Sequence, residues 1–213
     1  MKNIARHYRN QPFLYFLAAL LGLILLSPVF EGNSYGELLT RILFTFTLAA
    51  AVLAASAKRQ YLIIACCLAL PWILITWFID GSSEAVPLLI GRFIFVALNL
   101  FVFVIVIQRV ITACVIDVNI LCGGLSLYLL IAVNWAITYG IIEGLAPGSF
   151  EAGGTPIPWH KYFYFSLTTI TTLGYGDILP ASPFARIWST METIAGVFYM
   201  AVMVARLVSL YRK

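Results

Sequence analysis

Six apolar stretches, each about the length needed to cross a bilayer, set the tightest limit on what this chain can become. They run over Pro12–Phe30, Leu38–Ser56, Tyr61–Ile79, Val86–Ile107, Ile120–Ile142 and Ala185–Leu210. Lipid offers no water to stray backbone N–H and C=O groups, so spanning segments fold as helices or closed barrels. The chain is 62% hydrophobic and only 10% charged, far outside the soluble range. The expected fold is therefore an all-α membrane protein with six transmembrane helices. Trp159–Thr172 is too brief to cross and is read as a re-entrant helix. Irregular backbone after it is tolerable only where it lines a watered cavity.

Charge placement sets the orientation. Lys2, Arg6, Arg9, then Lys58 and Arg59, then Arg109, then Arg212 and Lys213 fall on one side. The other side carries Glu31, Glu37, Asp80, Glu84, Glu143, Glu151 and Asp177, with Lys161 and Arg186 as exceptions. This bias implies a cell-membrane protein with cytoplasmic N- and C-termini. The acidic loops either concentrate cations, an effect salt would weaken, or serve only as soluble connectors. Residues 1–30 have a basic start but a long apolar run without a small-x-small cleavage site, which favours a retained helix. Cys66, Cys67, Cys114 and Cys122 show neither metal nor secreted-disulfide spacing and are read as buried small hydrophobes. Nothing suggests an enzyme, a nucleic-acid partner, or a ligand-binding domain beyond the last helix.

The chemistry lies in Thr169-x-x-Thr172-x-Gly174-Tyr175-Gly176-Asp177, between the re-entrant helix and the last apolar span. A strand that aims successive carbonyls at one axis needs alternating backbone conformations, some with positive φ, which glycine adopts without a Cβ penalty. Gly174 and Gly176 meet that need, while Leu173 and Tyr175 are expected to point outward and pack behind the strand. Alone in a soluble chain, Gly-Tyr-Gly would be a turn. In this setting the sequence resembles the potassium channel family residue by residue, over Asn119 to the C-terminus and more loosely upstream. The resemblance implies a selectivity filter in which carbonyls of Thr172, Leu173, Gly174 and Tyr175, with the Thr172 hydroxyl, form stacked dehydrated K+ sites. Gly176 completes that filter, K+ is the permeant ligand, and no cofactor is implied. One filter segment per chain implies a fourfold homotetramer with the ion path on its central axis, lipid being the other partner. Three features depart from the family pattern. Leu173 replaces the usual valine or isoleucine, Tyr164-Phe165 replaces a frequent tryptophan pair, and Thr168 stands where some members have glutamate. A hydrogen bond from Tyr164 to Asp177 would supply support behind the filter; alternatively Tyr164 only packs.

Residues 1–107 resemble a degenerate voltage-sensor-like domain of four helices, 108–118 a linker, and 119–213 the pore domain. A voltage sensor needs several arginines at three-residue spacing, because each charge contributes only about 2.3 kcal/mol per 100 mV. Val86–Ile107 holds Arg92 alone, with Arg109 beyond it, so strong voltage gating is not expected. Arg41 and Arg92 would snorkel or pair with Glu37, Asp80 or Glu84, the alternative for Arg92 being a residual gating charge. Gln108–Val118 either lies along the cytoplasmic face or continues the fourth helix. Asp117-Val118-Asn119 favours the linker because it reads as a capping start. Glu143–Pro156 is a Gly- and Pro-rich extracellular turret, and His160 beyond it either caps, is solvated, or senses external pH.

Gly196 has the spacing of the family's hinge glycine and serves bending, packing, or both. Ala201 and Ala205 suit a tight helix crossing. Glu192 is ionisable inside a membrane helix and hence a functional candidate. It faces the cavity or hydrogen-bonds behind the pore helix to Thr168 or Thr169; the second is preferred, since that helix is rich in hydroxyls. The expected function is passive, potassium-selective conduction. A non-conducting scaffold subunit, a transporter with channel ancestry and an unselective cation channel are the alternatives, and the gating stimulus is not legible.

Overall fold

The computed structural model describes residues 11–26, 36–55, 59–79, 85–115, 117–154, 157–158 and 160–211. Lys2, Arg6, Arg9, Glu31, Lys58, Asp80, Glu84, Pro156, Trp159, Arg212, Lys213 and the side chain of Glu37 lie outside the described residues, and with them most of the loop charges and the expected partners of Arg41 and Arg92. The elements are α1 (Pro12–Leu26), α2 (Gly36–Ala55), α3 (Arg59–Leu74, continuing as a π-helical turn at Ile75–Ile79), α4 (Ala85–Thr112) and α5 (Val118–Leu145). There follow β1 (Phe150–Glu151), α6 (Lys161–Ile170), β2 (Leu179–Pro180) and α7 (Pro183–Tyr211). Arg59–Phe78, Leu89–Thr112, Val118–Leu145 and Pro183–Arg206 are long and apolar enough to cross a membrane. Pro12–Leu26 and Leu38–Ala54 are apolar but shorter. The chain is thus a mostly helical integral membrane protein. It divides into two compact units, Met1–Leu130 with Leu210–Lys213, and Ile131–Ser209.

In the first unit, Phe44, Trp72 and Phe95 bring α2, α3 and α4 together. Trp72 and Phe95 have ring centroids 4.9 Å apart, and Phe44 meets Phe95 edge-on at 5.5 Å. The buried Thr47 hydroxyl reaches Leu43 O at 2.8 Å and Ala19 O at 3.3 Å, tying α2 to α1. Pro71 lacks an amide proton, and α3 widens into its π turn shortly after it. That turn packs on α4 at Gly91, where a Cβ would stand 3.0 Å from Ile75 Cγ2.

α4 runs through Gln108–Thr112, so the fourth helix continues into the start of the stretch at 108–118, the alternative to a linker there. Arg109 does not end the helix because protein groups replace its water. Its Nη1 donates to Ala54 O at 2.8 Å, near the C-terminus of α2, and its guanidinium lies 5.8 Å from the Phe13 ring centroid. Asp117 caps α5, its Oδ1 accepting the Ile120 N–H at 2.8 Å. Two residues on, Asn119 Oδ1 accepts the Phe13 N–H at 3.0 Å, an amide in the first turn of α1 with no intrahelical partner. A Cβ on Gly123 would lie 2.9 Å from Phe13 Cδ2 and 3.1 Å from Val110 Cγ2. These contacts explain why the start of α5 belongs to the first unit.

The second unit is built around aromatic rings. Tyr139 of α5 lies 5.1 Å from Phe165 of α6 and 5.2 Å from Phe150 of β1, and Phe150 lies 5.5 Å from Tyr162. The turret is ordered by Glu143, whose carboxylate accepts the N–H groups of Gly148 at 2.8 Å and Phe150 at 3.1 Å. β1 then pairs antiparallel with β2 in the register Phe150↔Pro180 and Glu151↔Leu179. Ser149 O accepts Ala181 N–H at 2.8 Å, and Ser182 Oγ caps α7 by accepting Ala185 N–H at 3.1 Å, with Pro183 as its first residue.

Candidate ion-conducting filter

α6 is short because its end is capped tightly. Thr172 N–H donates to Thr169 O at 3.0 Å and Leu173 N–H to Thr168 O at 2.8 Å, the paired bonds of a Schellman cap. Such a cap needs a left-handed residue after the helix, usually glycine; Thr172 fills the place with φ 61°. A left-handed β-branched residue costs roughly 1–2 kcal/mol. The Thr168 carbonyl also accepts Gly174 N–H at 3.1 Å, so one oxygen holds two successive amides of the strand.

Positive φ recurs at every second residue of this segment, with Thr172 at 61°, Gly174 at 54° and Gly176 at 80°. Alternation of this kind turns successive peptide groups the same way, which a regular strand does not do. A Cβ on Gly174 or Gly176 would meet nothing within 4 Å, so backbone conformation rather than space demands glycine there. The strand is exposed within one chain, Leu173 at 55% and Tyr175 at 68%. Tyr175 stacks on Tyr164, with ring centroids 6.4 Å apart and planes 8° from parallel. Desolvation first, then the nearby Asp177 carboxylate, raise the pKa of the Tyr164 hydroxyl above the ordinary tyrosine value.

Behind α6 the structure departs from the expected partners. Thr168 and Thr169 turn their hydroxyls back onto Phe165 O, at 3.0 and 2.7 Å, rather than onto Glu192. Glu192 instead accepts the Tyr139 hydroxyl of α5 and is hydrogen-bonded to Ser166 of α6, and it is completely buried. Thr168 meets the strand through its carbonyl, not its side chain. Gly196 lies against the end of α6, where a Cβ would stand 2.5 Å from Ile170 Cγ1 and 2.7 Å from Ile170 O. Its position requires a residue without a side chain on packing grounds. His160 occupies the N-cap position of α6 without a side-chain capping bond. Tyr139, Ser166 and Ile170 were not legible as site residues; an acidic residue in an apolar helix signals that buried polar partners exist, but not which ones.

Residues 118–213 match the family model described as "Ion channel". The chain is similar to the inward rectifier potassium channel Kirbac3.1 of Paramagnetospirillum magnetotacticum, 33% identical over 36% of this chain and 24% of that protein. It is also similar to two pore potassium channel c of Oryza sativa subsp. japonica, 31% identical over 39% of this chain and 18% of the relative. A third relative, potassium voltage-gated channel protein shk-1 of Caenorhabditis elegans, is 40% identical over 24% of this chain and 9% of its own length. The chain thus spans a quarter or less of the curated relatives it matches. No solved structure matches it. Over its C-terminal stretch the chain is similar to an ion-channel family and to potassium channels.

Proposed function

We propose that the chain is one subunit of a potassium-selective channel that passes K+ passively down its electrochemical gradient. Four copies form a fourfold homotetramer in the cell membrane, each crossing six times with both termini in the cytoplasm. The single observation that carries this reading is the alternation of positive φ at Thr172, Gly174 and Gly176. Repeated around an axis, it offers rings of carbonyl oxygens from Thr172, Leu173, Gly174 and Tyr175, with the Thr172 hydroxyl, in place of the hydration shell of K+. Exposure of Leu173 and Tyr175 in a single chain leaves them surface for a neighbouring subunit to cover. Tyr164 and Asp177 support the filter from its outer end, Thr168 and Glu192 from behind. Gly196 lets the inner helix approach α6 and bend.

Voltage has little to act on. Of the arginines in α4, Arg109 is engaged by Ala54 O and the Phe13 ring, which supports a structural role for it. The test is flux from liposomes loaded with K+ and reconstituted with purified full-length protein. Rapid K+ efflux from the parent, and loss of it in Gly174→Ala, are expected. Liposomes as tight as protein-free ones would reject the reading in favour of a non-conducting subunit.

A further inference from the structure

Ser166 is fully buried, and its hydroxyl has two acceptor-type neighbours, Ala132 O at 2.7 Å and Glu192 Oε1. A hydroxyl carries one proton and a carbonyl oxygen none. When Ser166 gives its proton to Ala132 O, the bond to Glu192 must use a proton held by Glu192. Were Glu192 ionised, Ser166 would have to choose. Either the Ala132 contact or the Glu192 contact would then set lone pair against lone pair inside the protein, a costly arrangement. The second Glu192 oxygen takes the Tyr139 proton. Ser189 of α7 lies near Tyr139, and its own hydroxyl donates to Ala185 O at 2.9 Å.

The groups that face Glu192 and its partners are therefore Tyr139 from α5, Ser166 from α6 and Ser189 from α7, all neutral. Among the described residues no lysine, arginine or histidine is hydrogen-bonded to Glu192. A carboxylate there would be a buried charge without a counter-charge in a membrane helix.

We infer that Glu192 is a neutral carboxylic acid whose proton is donated to Ser166 Oγ, and that this proton positions α6 under the filter. The donor chain runs Tyr139 to Glu192, Glu192 to Ser166, and Ser166 to Ala132 O, joining α5, α6 and α7. Two residues beyond Ser166, Thr168 O holds the amides of Leu173 and Gly174. Deprotonation at alkaline pH removes the donor to Ser166, places a charge in the core and frees α6. Glu192 is thus a positioning residue for the strand, not a group that touches the ion. The protonation state stands independently of the proposed function; the effect on selectivity rests on it.

The test is infrared difference spectroscopy of the full-length protein in liposomes, parent minus Glu192→Gln, paired with K+/Na+ reversal potentials from neutral to alkaline pH. A carboxylic-acid C=O band at neutral pH, lost on alkalinisation together with K+ preference, is expected. Glu192→Gln keeps that preference without the alkaline fall, because its amide donates to Ser166 and accepts from Tyr139. Glu192→Ala, which takes the acceptor from Tyr139 and the donor from Ser166, loses roughly tenfold in K+ over Na+ preference. Should the glutamine variant fail to assemble, Ser166→Ala serves, since removing the acceptor raises the acid band frequency. Carboxylate bands at neutral pH would overturn the protonation. An acid band with equal selectivity in parent, Gln and Ala variants would overturn the positioning role. An acid band in a protein that passes no K+ would reject the proposed function and leave the protonation standing.

Discussion

Replacing Gly196 by alanine introduces a methyl group where the structure has no room. The new Cβ would lie 2.7 Å from Ile170 O and 2.5 Å from Ile170 Cγ1. The side-chain atom can swing away, but the oxygen belongs to the last residue of α6, whose cap holds the filter strand. Ordinary carbon–oxygen contact therefore requires α6 and α7 to separate by about 0.5 Å, and overpacking of this kind costs about 1–3 kcal/mol. Alanine recovers about 1 kcal/mol of helix propensity, which leaves a net loss of up to about 2 kcal/mol per chain. Thermal unfolding of the purified channel in detergent reads the stability, and reversal potential reads the strand. Ile170→Ala removes one of the two clashing atoms. The double variant should accordingly be more stable than the sum of the single changes by about 1 kcal/mol, while the carbonyl clash persists. Strict additivity, with Gly196→Ala as stable as the parent, would refute the contact. Slowed opening at unchanged stability would show that the glycine acts as a hinge instead.

Tyr164→Phe removes the hydroxyl that meets Asp177 while leaving the ring stack on Tyr175. Conduction should decay faster under sustained opening, measured as current run-down in bilayers, and an unchanged time course would mean that Tyr164 only packs. Arg109→Ala deletes the bond to Ala54 O and the contact with Phe13, at a cost of about 1.5–3 kcal/mol, seen as a lower unfolding temperature with filter selectivity intact. Asp117→Ala removes the cap of α5 and should destabilise by about 1 kcal/mol, checked by hydrogen exchange at the Ile120 and Leu121 amides.

The conformation of the strand was legible because backbone conformation leaves a direct mark in glycine placement. Gly174 and Gly176 signal positive φ, whereas Thr172 shares that conformation through a helix cap that its residue type does not advertise. Glu192 announced a buried polar cluster, but its partners were misassigned. Every hydroxyl on α6 looked equally available in sequence, and only the fold shows Thr168 and Thr169 spent on Phe165 O while Ser166 faces the carboxyl. Tyr139 lies far from Glu192 in the chain and sits in an apolar helix, where a tyrosine reads as core. The end of α4 misled for a related reason. The stretch from Gln108 reads as a linker along the cytoplasmic face, yet α2 and Phe13 supply the Arg109 guanidinium with partners, and the helix continues to Thr112. Spacing singled out Gly196 as special without revealing the Ile170 carbonyl that makes it so.

Selective solvation of K+ by the strand from Thr172 to Gly176 is most directly tested by the zero-current potential of the reconstituted channel between K+ on one side and Na+ on the other. A value close to the K+ equilibrium potential is predicted, collapsing toward zero when Gly174 or Gly176 becomes alanine. A parent channel that already sits near zero, passing Na+ as readily as K+, would contradict it.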